Sequence, residues 1–188
     1  MSENNDDWGE FDSADAKQKE ERSKLWFNLK EGENRFQILT KIVPLVQVWD
    51  GVKYIIAPKG STKTTIKGLC YVLQDGIIKE AKLPYQVVKL VRELQANQDW
   101  GWDGFPAPRY VTVTAADNGK KFNGKTVLDY TILPAPKETA VPQEALTVLA
   151  EKPSPEDIIA RMKAKSDAPA PKHEEEEDDG IDPDKIPF

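Results

Sequence analysis

From Leu25 onward the chain alternates short apolar runs, rich in β-branched and aromatic residues, with turn signals: Glu31-Gly32-Glu33-Asn34, Asp50-Gly51, Pro58-Lys59-Gly60, Asp75-Gly76, Asp117-Asn118-Gly119 and Asn123-Gly124. That punctuation predicts a small β structure. Five strands follow from it: Arg35 to Trp49, long and bent at Pro44, then Val52 to Ala57, Lys67 to Leu73, Arg109 to Ala115 and Thr126 to Leu133. The last two alternate cleanly. Val111 and Val113 oppose Tyr110, Thr112 and Thr114, while Leu128, Tyr130 and Ile132 oppose Val127, Asp129, Thr131 and Leu133, so each strand has two distinguishable faces.

Between the third and fourth of these strands the period changes. Pro84 suits the first position of a helix, and Val87, Val88, Val91 and Leu94 then fall on one face of it before Asn97. A second, shorter helix is predicted over Glu156 to Lys165, with Ser154 as its cap, Pro155 in its first turn, and Glu156 and Asp157 at the positive end of its dipole. Three strands, a helix and two strands is the order of a mainly β, five-stranded OB-fold, a Greek-key barrel whose helix plugs one end. A different small β-barrel or sandwich is the alternative. The organisation expected is an acidic flexible arm over 1–23, the OB-fold domain over 24–136, an extension with the short helix over 137–165, and a disordered acidic tail over 166–188.

Charge sharpens this division. The 188 residues hold 26 basic and 32 acidic side chains, a net −6. Residues 1–23 carry eight acids and three bases and residues 166–188 nine acids and two bases, so residues 24–165 keep 15 acids and 21 bases, a surplus of +6. The same middle stretch holds 13 of the 16 aromatic residues.

Several classes of function are set aside by what the chain lacks. Cys70 is the only cysteine, so an internal disulfide or a multi-cysteine zinc site cannot form, and a reducing cytoplasm suits the chain. His173, the only histidine, lies beside a glutamate run, leaving nothing to build a Ser-His-Asp triad, a Cys-His dyad or a histidine metal site. Asp117 and Asp129 sit on separate elements without the clustered acids of a two-metal nuclease. No enzyme, cofactor or metal is therefore expected. Apolar runs of about four residues fall far short of the roughly 20 that cross a bilayer, and the amino terminus is acidic where a secretory signal is basic and then apolar. A cytoplasmic protein with no membrane partner is expected.

A basic, ring-rich β structure suits single-stranded nucleic acid, because lysine and arginine neutralise phosphates while flat rings stack on bases. The candidate rings are Trp49 and Tyr54 around the Asp50-Gly51 turn, Tyr71, Tyr110, and Trp100, Trp102 and Phe105 in the glycine- and aspartate-rich loop Asp99 to Pro106. Any one of them is as well suited to a core; in the loop, two glycines and two aspartates make a poor core segment, so at least one of its rings is expected to be exposed, with a hydrophobic lid as the alternative. The candidate cations are Lys53 beside the turn, Lys59, Lys63 and Lys67 in an acid-free stretch, Arg109, and Lys120, Lys121 and Lys125 around the last turn. Ordinary solvated loop charge is the alternative for each cluster. Thr62 stands where a P-loop needs glycine before Lys63, so that motif is rejected.

The last fifteen residues run from Glu174 through four glutamates and two aspartates to Asp182, Asp184, Lys185, Ile186, Pro187 and Phe188. Acids followed by Ile186-Pro187-Phe188 resemble the tail of bacterial single-stranded DNA-binding proteins and of bacteriophage proteins that share their plan. More loosely, Phe27 to Leu39 (FNLKEGENRFQIL) is similar to the start of the first strand in the phage proteins. The resemblance implies a sequence-independent protein that coats and protects single-stranded DNA in replication, recombination and repair, in a bacterial cell or phage-infected host. It implies a tail that recruits partner proteins of those processes: Phe188 enters an apolar pocket on the partner beside Ile186, Pro187 shapes the peptide, and Asp182 and Asp184 meet basic residues. The chain departs from that pattern at Lys185, which interrupts the acids, in its short spacer over 166–173, in its acidic arm, and in lacking the residues of a zinc ribbon. Oligomeric state is not carried over, and self-association is allowed for. A tail of net −7 could also occupy the basic middle until DNA displaces it. Two other readings stand beside this one: a protein adaptor or recombination mediator that works through its tail, and an OB-fold RNA-binding chaperone.

Overall fold

The turn signals do end strands, but the chain makes more strands than the pattern predicts. The structure, a computed structural model, describes residues 24–122 and 124–167, together with Ser13, Lys17 and Glu21. The rest of the acidic arm, Asn123 and residues 168–188, including Asp182, Asp184, Ile186, Pro187 and Phe188, lie outside the described residues. Eight strands are present among the described residues: β1 (Trp26–Phe27), β2 (Gly32–Ile38), β3 (Val43–Trp49), β4 (Tyr54–Ile56), β5 (Thr64–Gln74), β6 (Ile77–Pro84), β7 (Val111–Phe122) and β8 (Lys125–Pro134). Helices α1 (Tyr85–Gln95), α2 (Gln143–Ala150) and α3 (Pro155–Asp167) accompany them among the described residues. The fold is mainly β, built on one mixed sheet.

The long first strand is corrected to two. The chain turns at Leu39 to Ile42, not at Pro44, because Leu39 N–H donates to the Tyr71 carbonyl and Thr40 Oγ1 accepts from Tyr71 N–H, fixing a corner there. Pro44 lies inside β3 opposite Gly68, where β4 does not reach; the second edge of β3 is unpaired at that point, so a missing N–H is tolerated. The sequence pattern also misses β6. Asp75 and Gly76 both have positive φ, 52° and 75°, the backbone of a two-residue hairpin turn, and β5 folds back onto β6 over eight register pairs from Gln74↔Ile77 to Lys67↔Pro84.

The sheet runs in the order β1-β6-β5-β2-β7-β8, with β3 also on β5 and β4 on β3. Among the described residues, β1 and β6 are the one pair that runs parallel. β2 changes partner along its length, meeting β7 through Gly32 to Phe36 and β5 through Gln37 and Ile38. No pairing of β8 with β6 or β1 closes the path among the described residues, so the sheet is open where a closed five-stranded barrel was expected.

Two layers cover it. On one face Phe36, Ile38, Cys70, Val72, Leu83 and Val111 pack against Val87 and Val91 of α1, the face its periodicity predicts. On the other, Leu69, Tyr71 and Leu73 of β5 lie under Ala145 of α2 and Ile158 and Ile159 of α3. The C-terminal extension is thus a second packing layer. Ser154 caps α3 as predicted: its Oγ accepts from Asp157 N–H at 3.1 Å, and Asp157 Oδ2 accepts from Ser154 N–H at 3.3 Å. No helix among the described residues is long and apolar enough to cross a membrane.

Close approach of α1 and the β2–β3 corner to β5 requires glycine at 68, since a Cβ there would collide with the side chains of Ile42 and Val88. Gly68→Ala should lower stability by roughly 1–3 kcal/mol through overpacking. Urea unfolding reads this as a lower midpoint at unchanged slope; an unmoved midpoint would mean that this contact is loose.

Candidate nucleic-acid interface

The β3–β4–β5 ladder determines which side chains share a face. Register pairs Trp49 with Tyr54, Gln47 with Ile56 and Leu45 with Lys67, and side chains alternate along each strand. Leu45, Trp49, Tyr54, Ile56, Lys67 and Leu69 therefore all point to the side that carries α3. The helix covers Leu45, Ile56 and Leu69 through Ile159 and Met162. Beyond it Trp49 and Tyr54 emerge, 53% and 48% exposed, with ring centroids 5.1 Å apart in an edge-on pair.

Lys67 joins these rings to a second pair. Its Nζ lies 5.6 Å from the centre of the Tyr54 ring. In the next strand Lys82 stands opposite Leu69, and its Nζ lies 4.4 Å over the ring of Trp26 in β1, which is 39% exposed. Burial, and then the like charge of Lys82, hold the Lys67 ammonium below its ordinary pKa. Across β1, β6, β5, β3 and β4 the surface thus reads Trp26, Lys82, Lys67, Trp49, Tyr54: two adjacent lysines flanked by a ring on one side and a ring pair on the other.

The turn at the end of this band is built by local chemistry. Asp50 Oδ1 accepts from the N–H groups of Val52 at 2.8 Å and Lys53 at 2.7 Å, which lowers the pKa of its carboxyl. Gly51, at φ 108°, supplies a conformation that other residues rarely adopt. Lys53 in this turn and Lys59 and Lys63 in the β4–β5 connection are exposed, and none forms an ion pair among the described residues. Six of the residues predicted from sequence, Trp49, Lys53, Tyr54, Lys59, Lys63 and Lys67, are therefore brought together on one arm of the fold. Lys120 and Lys121 form a separate exposed basic tip on the β7–β8 hairpin, beside exposed Phe122, whose register partner is Lys125.

The remaining candidates are placed elsewhere. Tyr71 is 4% exposed beneath α2 and α3, with Lys152 Nζ 5.8 Å from its ring centre, and burial pushes its phenol up. Trp102 is 8% exposed in the core against α1, and Phe105 packs on that core. The loop turns inward because Gly101 N–H donates to the Asn97 carbonyl and Trp102 N–H to that of Gln95, folding it against the end of α1. It serves as the hydrophobic lid. Arg109 is committed to its own chain: Nη2 pairs with Glu138 at 2.9 Å, Nη1 donates to the Ala135 carbonyl, and the guanidinium covers one side of Trp100 at 5.2 Å. Arg35 similarly lies 5.1 Å over half-buried Tyr110.

Sequence reasoning missed Trp26 and Lys82. The Asp75-Gly76 dipeptide after the third predicted strand was the available signal; followed through as a hairpin turn, it places Lys82 one strand from Lys67. The described residues contain no group of three or more His, Cys, Asp or Glu side chains that could hold a metal ion.

Glu80 is the acid of this surface, opposite both Trp26 and Tyr71, and its Oε1 is buried without a hydrogen-bond partner. Burial raises its pKa above the ordinary 4.5, with Lys82 and Lys152 pulling it back only in part. The folded state therefore holds this proton more tightly than the unfolded chain, and stability falls as pH rises through the folded value. Glu80→Gln should unfold at higher denaturant than the parent chain at pH 7, with the gap closing below the ordinary carboxylate range. A variant less stable at pH 7 would show that the lysine contacts outweigh burial. Comparison with protein-family models, curated proteins and solved structures finds no match for this chain.

Proposed function

We propose that this protein is a non-enzymatic, largely sequence-independent single-stranded DNA-binding protein. The strand lies along the band from Trp26 to Trp49, and the Asp182–Phe188 segment recruits partner proteins of DNA replication, recombination and repair in the cytoplasm of a bacterial cell or phage-infected host. One observation carries the reading: three exposed rings flank two adjacent lysines across neighbouring strands, Trp26 on one side and Trp49 with Tyr54 on the other, continued by Lys53, Lys59 and Lys63. Rings stack on any base and ammonium groups meet the phosphates between them, a combination that binds a strand without reading its sequence.

The topology supports an OB-fold origin for this surface. Set aside β1 and the β3–β4 hairpin, and the path β6-β5-β2-β7-β8, with α1 between β6 and β7 in sequence, has the strand neighbours of an OB-fold opened at one seam. OB-folds bind oligonucleotides on the face of their second and third strands and on the loops at its ends. Here β5 and β6 take that place, the β3–β4–β5 arm and the β7–β8 tip take the place of the loops, and α2 and α3 restrict the open part of the face to the ring-and-lysine band.

Trp49→Ala and Tyr54→Ala should each weaken oligo-dT binding by about 1–3 kcal/mol, 5- to 150-fold, with thermal midpoints unchanged because both rings are half exposed. Lys63→Ala should lower the slope of log affinity against log salt by about 1. Titration of intrinsic Trp fluorescence at two salt concentrations reads both. No quenching and no binding would move the function to a protein adaptor working through its tail, and equal affinity for oligo-rU would move it toward an RNA chaperone.

A further inference from the structure

On the opposite side of β5, a groove of about 450 Å³ lies between the β2–β3 corner, α1 and the tip of the lid loop. Its size falls within the roughly 300–1,000 Å³ of ligand pockets. Ile42, Val88, Val91 and Phe105 give it an apolar floor, and Lys41 and Arg92 stand exposed on its rim. Neither cation has an ion-pair partner among the described residues. An apolar floor under two free cations calls for a peptide that offers apolar side chains next to acids.

The chain carries such a peptide outside the described residues. Asp182 and Asp184 precede Ile186, Pro187 and Phe188, so two acids and two large apolar side chains fall within one short segment. We propose that the Asp182–Phe188 segment docks in this groove of its own chain, Ile186 and Phe188 on the floor and Asp182 and Asp184 against Lys41 and Arg92. Fourteen residues separate Asp167, the last residue of α3, from Asp182. At up to about 3.3–3.6 Å per residue they span tens of ångströms, ample for a molecule of this size. Acids alone would favour the ring-and-lysine band, but the cleft beside that band has the carboxylate of Asp50 next to Lys53 in its lining, whereas no acid lines the groove at Lys41 and Arg92. Docking in the groove leaves the band free for a strand while withholding the segment from partners, so strand binding and partner recruitment are governed by separate surfaces. The docking does not depend on strand binding.

A nitroxide at position 180 of the full chain tests this. Cys70 is buried with its thiol pushed up to about 12, so in a Gly180→Cys variant the label attaches to the introduced thiol alone. The methyl resonances of Ile42, Val88 and Val91 should broaden selectively, and should sharpen again when Phe188→Ala is added or when Lys41→Glu and Arg92→Glu are combined. Lys41 and Arg92 are exposed, so their substitution leaves the packed layers intact, and Phe188 lies outside the described residues. Broadening around Trp26, Tyr54 and Trp49 instead, or no selective broadening, overturns the proposal. Broadening that appears only between differently labelled chains and fades on dilution also overturns it, assigning the groove to a second copy's segment.

Discussion

Strand β5 is the constraint on which the structure depends. It is hydrogen-bonded on both edges, to β6 along one side and to β3 and then β2 along the other, so neither its register nor its facing can shift without breaking both. Its alternation then assigns two different tasks. Gly68, Cys70 and Val72 face α1, while Lys67, Leu69, Tyr71 and Leu73 face the C-terminal helices. A one-residue slip would bury Lys67 against the helix and put Cys70 under α3. Both packing layers and both candidate surfaces are therefore consequences of one register.

The outward face is divided by α3. Where the helix lies over it, Leu45, Ile56 and Leu69 make an ordinary core. At the helix margin the same row of side chains turns from aliphatic to Lys67, Tyr54 and Trp49, and Lys67 bears the cost of standing at that border: it is partly desolvated and has Lys82 for a neighbour. A cation kept in such a place favours any ligand that brings negative charge to it, since the ligand relieves both the burial penalty and the repulsion. Glu80 offsets part of that field from within the sheet, at the expense of an unpartnered carboxylate oxygen.

How much of this was legible in the chain depends on whether the signal was local. The face of α1 was, because Val87, Val88, Val91 and Leu94 repeat with the helix, and so was the Ser154 cap. The turn carrying Trp49, Lys53 and Tyr54 was legible for the same reason: Asp50 and Gly51 settle it within four residues. β6 was not, because Lys79, Glu80 and Lys82 interrupt the apolar pattern of a strand whose face toward α2 and α3 carries Glu80 and Lys82 beside buried Ile78. Tyr71 and Trp102 look from sequence like any other exposed ring. What buries them is distant in the chain, namely α2 and α3 for Tyr71 and the fold of the lid loop against α1 for Trp102.

The burial of Trp102 also explains why the groove lies where it does. The lid loop is drawn against α1 by the Trp102 and Gly101 backbone hydrogen bonds, and this brings Phe105 beside Val88 and Val91. Gly68, on the other side of the same contact, lets Ile42 and Val88 approach β5 closely enough to form a floor with them. The residues that close the core at this end thus leave apolar surface facing outward between them, with Lys41 and Arg92 at its edge. Enlarging residue 68 would push Ile42 and Val88 into that space, so packing of the inner layer and the shape of the groove are coupled through a single missing methyl group.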